Sequence, residues 1–271
     1  WKIQKGIRTD IITVDDIMNN YTGESIQLKI KNCIKDYYEN HGLKYVLMGG
    51  DEYIVPVQRC YRKCGDKEDN TIPCDLFYAC LGEQFDWDYN GNGIIGEGDD
   101  RVDLSPEVYI SRVPVRSRNN VNAFISKTKK YEINPALTNY VNKILLAGTK
   151  LWKIWDGKSD AHHWSELLYS SEIEQEWNGN KTEFFDTGTD FTGGSNYDLT
   201  ASNLQTKLNL GYHFVHMATH GDSTSWQMET GNRYSSTTAL EQENANTSII
   251  ITMACHTNAF DQADMCLSEA F

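Results

Sequence analysis

No stretch of this sequence approaches the roughly 20 consecutive apolar residues that a bilayer demands. The longest aliphatic block, "SIIITMA", covers residues 248–254. Clusters of basic charge are missing as well. Lys and Arg number 25 against 38 Asp and Glu, the formal net charge is −13, and no Lys/Arg run occurs. Nucleic-acid binding needs clustered cations to release counterions, so neither nucleic acid nor a membrane span is expected. The opening "WKIQKGIRTDIITV" has no charged segment followed by an apolar one, so no secretion signal is visible in it. The closing "CLSEAF" starts a helix with no stop signal after it. Both ends therefore read as cuts through a longer chain, with a C-terminally incomplete second half. The paired C-x-x-C spacing of zinc sites is absent too.

Cysteine itself is plentiful. Of seven, four fall between Cys60 and Cys80, which points to one or two disulfides stapling a surface loop and hence to a secreted or cell-surface protein. With 271 residues and 39% apolar composition the chain can bury a sizeable core.

Hydrophobic patterning alternates strand and helix. The segment "GIRTDIITV" alternates like a strand, and "SIQLKIKNCIKDYYEN" places Ile26, Ile30, Cys33, Ile34 and Tyr37 on one helical face. "KYVLMGG" and "EVYISRVPV" read as strands, followed by a helix over "NNVNAFISKTKKYEIN". The series restarts after Pro135 with "NKILLAGT", "TEFFDT", "YHFVHMATHG" and "SIIITMAC" as strands and helices between them. Such alternation predicts an α/β protein with mostly parallel sheets covered by helices. The expected subdomains are 1–135, carrying a long polar Cys-rich insertion from Cys60 to Leu104, and 136–271.

In open parallel sheets, reactive groups collect where the strands end. Two strands here end in such groups, one at His220-Gly221 and the other at Ala254-Cys255. The 35-residue interval from His220 to Cys255 suffices for a crossover to a neighbouring parallel strand. That arrangement would set a nucleophile beside a proton donor. Gly221 would let a backbone N–H approach a substrate carbonyl, and with the Cys255 N–H it could form an oxyanion hole. His216 and His220 lack the glutamate of a zinc-peptidase helix and lie in a strand pattern, so they are not read as metal ligands.

The insertion contains "DWDYNGNGIIGEGDD", with two overlapping calcium-loop registers. One starts at Asp86 and runs through Asp88, Asn90, Gly91 and Glu97. The other starts at Asp88, runs through Asn90, Asn92, Gly93 and Ile95, and ends at Asp99. Oxygen donors at alternate positions, with glycine at the sharp turn, suit a seven-coordinate ion. The ligand set read from them is Asp88, Asn90, Asn92, Ile94, Glu97 and Asp99, for a structural Ca2+. No cofactor is expected for catalysis.

His-Gly at one strand end followed by an aliphatic block closing in Ala-Cys resembles the caspase-like clan of cysteine peptidases. Within it the chain is most similar to the gingipain-type peptidases. "WKIQKGIRTDI", "YVLMGGDEYIVP", "PEVYISRVPV" (with Ser111 where glycine is usual), "HGDSTSW" and "CLSEAF" resemble that family's segments in the right order. The resemblance implies a caspase-like α/β/α sandwich and a cysteine endopeptidase of protein or peptide substrates. In it Cys255 is the nucleophile, His220 the proton donor, and Trp226 of the "HGDSTSW" turn lies at the substrate. Gingipains carry a carboxylate just after the strand matching "KILLAGT", where this chain has none, leaving Asp156 or Asp160 to orient His220, or neither. "DGKSDAHHW" resembles the stretch holding the carboxylate of arginine-specific gingipains. Asp160 would then select a basic P1 side chain; alternatively it caps the helix that follows. An idle dyad in a binding module, or a peptide ligase using the same acyl-enzyme, are the rival readings.

Overall fold

The computed structural model describes residues 1–135, 138–155, 158–186, 199–228, 231–243 and 246–271. It divides into two compact units, Trp1–Arg116 and Ser117–Phe271.

In the first unit the segment expected as an opening strand is not one. A 3-10 turn at Ile3–Lys5 leads to helix α1 (Val14–Asn20), which starts where Thr13 and Asp16 cap each other's backbone N–H groups. That reciprocal cap satisfies two donors that a helix start otherwise leaves open, and it outweighs the strand-like alternation before it. Helix α2 (Ile26–His41) is capped by Ser25 and ends at Gly42, whose φ of +69° favours glycine. It buries Ile30, Cys33 and Ile34, part of the face its spacing predicts. Strand β1 (Tyr45–Gly49) later pairs in parallel with β4 (Tyr109–Val113), Tyr45 opposite Tyr109. Between them the polar insertion is more ordered than its composition suggests. It forms an antiparallel hairpin, β2 (Arg59–Cys64) with β3 (Lys67–Pro73), and a single-turn helix α3 (Leu76–Ala79). The buried Arg112 guanidinium ties these parts together. It donates to both carboxylate oxygens of Asp75 and to the carbonyls of Gly50 and Val55, all at 2.7–2.8 Å.

The second unit begins with α4 (Arg118–Glu132), ahead of the division expected near residue 135. Contacts explain the difference: Lys127 Nζ reaches the Phe271 carbonyl, and Tyr131 Oη meets His213 Nε2 at 2.7 Å. Strand β5 (Lys143–Gly148) follows, then the two-residue strands β6 (Ile154–Trp155) and β7 (Lys158–Ser159) and helix α5 (Asp160–Leu168). Next come β8 (Asn180–Phe185), α6 (Ala201–Asn209) and β9 (Phe214–Ala218). A small antiparallel sheet is built from β10 (Gly221–Asp222), β11 (Ser225–Gln227) and β12 (Arg233–Ser235). Helix α7 (Ser236–Leu240), strand β13 (Ile249–Met253) and helix α8 (Leu267–Ala270) complete the chain.

The main sheet has the order β13-β9-β5-β8, every pair parallel. Its side chains alternate between faces as pleating requires. Leu145 and Ala147 pack with Phe184, Leu204, Leu208, Met217 and Leu267, whereas Ile144 and Leu146 pack with Tyr169 and Phe185. Both faces are thus covered at the central strands, where Leu145, Leu146 and Met217 are wholly inaccessible, whereas β13 leaves Ile249, Ile251 and Met253 exposed on one face. At about 25 cal/mol per Å² of apolar surface, each large side chain contributes about 2 kcal/mol to holding these layers.

Candidate active site

The register of the central strands places the two reactive residues. Met253 at the end of β13 lies opposite Ala218 at the end of β9, and the Thr219 N–H extends the pairing by donating to the Met253 carbonyl at 3.1 Å. His220 and Cys255 each follow their strand by two residues, so they emerge from the same end of the sheet on adjacent strands, and both are exposed.

Two backbone features shape this end. A Cβ on Gly221 would lie 2.8 Å from the Cys255 carbonyl oxygen, 2.8 Å from Thr257 Cγ2 and 3.0 Å from Ala254 Cβ. The His220 segment therefore packs against the Cys255 turn so closely that only glycine fits. His256, directly after the cysteine, has φ of +59°, the one positive φ outside glycine among the described residues. A non-glycine residue held there costs on the order of 1–3 kcal/mol, and such conformations cluster where a side chain must be aimed.

His220 is oriented by a backbone group. Its Nε2 lies 2.8 Å from the Leu151 carbonyl oxygen, which can only accept, so Nε2 carries a proton. The Trp152 ring stands edge-on to the imidazole with centroids 6.3 Å apart. The Leu151–Lys153 segment is in turn held by Asp160. One carboxylate oxygen accepts from the Leu151 N–H at 2.8 Å, and the other from Trp152 at 2.8 Å and Lys153 at 3.2 Å. Asp160 is 2% exposed and opens α5, while Ser159 is the cap, accepting from His162 N–H. Beneath, the Thr149 N–H donates to the Ala218 carbonyl at 3.0 Å and the Thr149 and Thr219 hydroxyls bond at 2.8 Å, joining β5 to β9.

The structure thus brings His220, Gly221 and Cys255 together. Asp160 touches the loop behind His220 and not the imidazole, and both its oxygens are engaged by amides rather than turned toward a substrate side chain. Asp156 lies outside the described residues. Trp226, expected at the substrate, is 1% exposed in the core, where its ring N–H donates to Thr252 Oγ1 at 2.9 Å. An indole fixed in that way is shielded from any ligand. The residue that sequence reasoning missed is Leu151, whose contribution is a carbonyl and leaves no signature in side-chain identity. His216 is half-buried in β9, and its Nδ1 meets Ser165 Oγ at 3.2 Å.

The calcium-loop candidate belongs to the first unit. Its base is closed by paired backbone hydrogen bonds between Asp86 and Arg101, both 3.0 Å. Positive φ at Gly91, Gly93 and Gly96 curls the chain. Asp88 Oδ1 accepts from Gly93 N–H at 3.0 Å, Asn90 Oδ1 from Asn92 at 2.9 Å and Asn92 Oδ1 from Ile94 at 2.7 Å. Glu97 is bonded by the side-chain amides of Asn90 and Asn92. Asp100, rather than Asp99, turns into the loop and accepts from the Gly96 and Glu97 N–H groups at 3.0 Å, whereas Asp99 is exposed. The all-oxygen donor set fits a hard cation. Among the described residues, the group of three acid or histidine side chains with ligand atoms within 4.8 Å of one another lies elsewhere, at His162, Glu166 and Glu183.

None of the seven cysteines is in a disulfide. Cys60 on β2, opposite Ile72, and Cys74 directly after β3 lie diagonally across the hairpin on one face, which brings the two thiols into contact. That contact lowers Cys74 to about 7, helped by the Phe77 and Leu76 N–H groups against its burial, and the same contact with burial pushes Cys60 up.

Comparison with known proteins agrees with this architecture. The model for peptidase family C25 matches residues 1–271. This chain belongs to that family. Over 277 aligned positions it is 26% identical to gingipain R2 and to gingipain R1 of Porphyromonas gingivalis, covering all of this chain but 31% and 23% of those proteins. The crystal structure of the Arg-specific cysteine proteinase gingipain R (RgpB) superposes with a TM-score of 0.71 at 22% identity, covering all of this chain and 53% of that one. The complex of P. gingivalis RgpB pro- and mature domains gives 0.70 at 21%. The fold is therefore the caspase-like α/β/α fold of the gingipains, and this C25 chain spans under a third of its curated relatives' length.

Proposed function

We propose that this C25 chain carries the catalytic dyad of a cysteine endopeptidase that hydrolyses proteins or peptides. The observation that carries the reading is the placement of His220 and Cys255 two residues beyond in-register ends of adjacent parallel strands. Leu151 occupies Nε2 of the imidazole, which leaves Nδ1 as the nitrogen for proton transfer. The Cys255 thiolate attacks the scissile carbonyl, and the oxygen's developing charge falls to the Gly221 and Cys255 N–H groups. His220 then gives a proton to the leaving amine. Water hydrolyses the acyl-enzyme, returning the thiol. Asp160 acts as a positioning residue through the Leu151–Lys153 loop, whose three N–H groups its carboxylate holds. We assign a structural Ca2+ to the loop around Asp88, Asn90, Asn92, Ile94 and Glu97, on its donor chemistry, and a secreted or cell-surface setting in which the Cys60–Cys74 pair would be oxidised.

The test is cleavage of a peptide library varied at P1 by the whole protein beside Cys255→Ala. Removing a covalent nucleophile should lower kcat/KM by at least about 10³-fold. If folded wild type cleaves nothing that Cys255→Ala leaves intact, the chain is a binding module with an idle dyad.

A further inference from the structure

Away from the dyad, three side chains of the second unit converge with no part in the reading above. His162 and Glu166 stand one turn apart on α5, and Glu183 lies on the neighbouring strand β8. His162 Nε2 is 3.5 Å from Glu166 Oε1 and 3.6 Å from Glu183 Oε2, and one ligand atom from each of the three lies within 4.8 Å of the others. The histidine side chain is 3% exposed, although both carboxylates retain partial access to solvent.

These separations are informative. A direct N–H···O bond closes to about 2.7–3.2 Å, shorter than either contact. A tetrahedral zinc ion with bonds of about 2.1 Å sets neighbouring donor atoms about 3.4 Å apart, close to what is found. The surroundings also fix the donors. The His162 ring stacks on Phe185 with centroids 4.2 Å apart and planes 10° from parallel. Lys158 Nζ pairs with Glu166 Oε2 and Lys181 Nζ with Glu183 Oε1, so each lysine holds the outer oxygen and leaves the inner one facing the imidazole. Outer partners of this kind orient metal-binding carboxylates. The two ammonium groups balance the two carboxylates, so the ion's own charge is met by displacing a lysine or by an anionic fourth ligand.

We propose that His162, Glu166 and Glu183 form a binding site for a divalent transition-metal ion of zinc's chemistry, clamping α5 to β8, with water or an anion as fourth ligand. One imidazole nitrogen with two carboxylate oxygens favours zinc over calcium or magnesium, which take oxygen ligands in larger number. The site is separate from the oxygen-lined loop of the first unit. Because α5 opens with Ser159 and Asp160, the clamp stiffens the helix that anchors the loop behind His220.

The whole protein, stripped with a chelator and returned to chelator-free buffer, is titrated with Zn2+ by calorimetry and with Co2+ by visible absorption. Glu183→Gln, Glu166→Gln and His162→Asn are compared on a Cys64→Ala, Cys255→Ala background so that the two exposed thiols do not compete. The expected result is one Zn2+ per chain, a Co2+ spectrum without a thiolate charge-transfer band, a higher Tm with Zn2+ than without, and affinity lowered at least tenfold in each variant. Glu166→Gln and Glu183→Gln change no shape, so they keep the test sharp if His162→Asn folds poorly. No zinc binding by the wild type overturns the site, as does zinc affinity unchanged in both glutamine variants or a thiolate band in the cobalt spectrum.

Discussion

His220 Nε2 lies 2.8 Å from the carbonyl oxygen of Leu151. A backbone carbonyl thus stands where the sequence invited a search for a carboxylate. It fixes the tautomer and aims the ring without placing a second charge beside it. An immediate consequence concerns variants at 151: replacing Leu151 with Ala keeps the carbonyl and should leave kcat/KM within about threefold, whereas Leu151→Pro removes the N–H held by Asp160 and should lower it far more. Parallel kinetics and Tm of the two variants check this, and equal losses would show that the Leu151 side chain matters.

Gly221 offers the most direct test of this end of the sheet. Its missing Cβ would stand 2.8 Å from the Cys255 carbonyl oxygen, inside any tolerable contact. Gly221→Ala must push the nucleophile's turn outward, and displacement on the order of 1 Å costs about 10²-fold in rate. Steady-state kinetics should give that loss in kcat while Cys255 remains open to alkylation. Wild-type kcat in Gly221→Ala would mean that the two turns move freely.

The positions of His220, Gly221 and Cys255 were legible because buried parallel strands are near-continuous apolar runs whose ends are sharply marked, and registration follows from the strand ends. The same logic failed where charge replaces alternation. Strands β2 and β3 read "RCYRKC" and "KEDNTIP", too polar for a strand pattern, and their pairing is set by the hairpin turn at Gly65. Residues 6–13 alternate like a strand, but the Thr13–Asp16 cap commits the chain to α1. Trp226 misled for another reason: its motif neighbours the dyad in sequence, while the β10–β11 turn sends the indole inward against Tyr234 and Phe271.

The Cys60–Cys74 thiol pair is poised for oxidation. With its pKa lowered to about 7, Cys74 gains thiolate as pH rises through that value, whereas Cys60 stays protonated. Alkylation mapped by mass spectrometry should label Cys74 increasingly between pH 6 and 8 (about one unit either side of its midpoint), well ahead of buried Cys33 and Cys80. Oxidised glutathione should convert the pair to a disulfide, one molecule of it being reduced to two thiols. Closing a loop of about 15 residues contributes about 3 kcal/mol. Labelling of Cys74 with no pH dependence would contradict the thiol–thiol contact.

Calcium addresses the first unit alone. Six acids between Asp86 and Asp103 face one Arg101, so an ion bound by Asp88, Asn90 and Asn92 oxygens relieves repulsion as it closes the loop. At 100 times its Kd, a ligand that binds only the folded state adds about 2.7 kcal/mol. Chelation should therefore lower Tm by several degrees, with calcium restoring it and magnesium not. Asp88→Ala should abolish the response. A Tm indifferent to calcium would leave the loop as a turn held by its own Asx bonds.

Asp160 separates two roles that the sequence alone could not divide. Its two oxygens accept the Leu151, Trp152 and Lys153 N–H groups, and hydrogen bonds to a buried charge contribute about 1.5–3 kcal/mol each. Asp160→Asn replaces one acceptor oxygen with an NH2 that faces a donor. The loop behind His220 loosens and Tm falls by several degrees. A positioning residue acts on the imidazole for every substrate, so activity on P1 Arg and on P1 Ala or Leu peptides should drop by the same factor, about tenfold or more. A residue in the specificity pocket behaves otherwise. Its charge attracts only a basic P1 side chain, and its loss would spare the neutral peptides while activity on Arg collapses. The ratio of the two losses therefore assigns Asp160: near one, it holds the loop; far above one, the loop amides give way to a guanidinium when substrate binds.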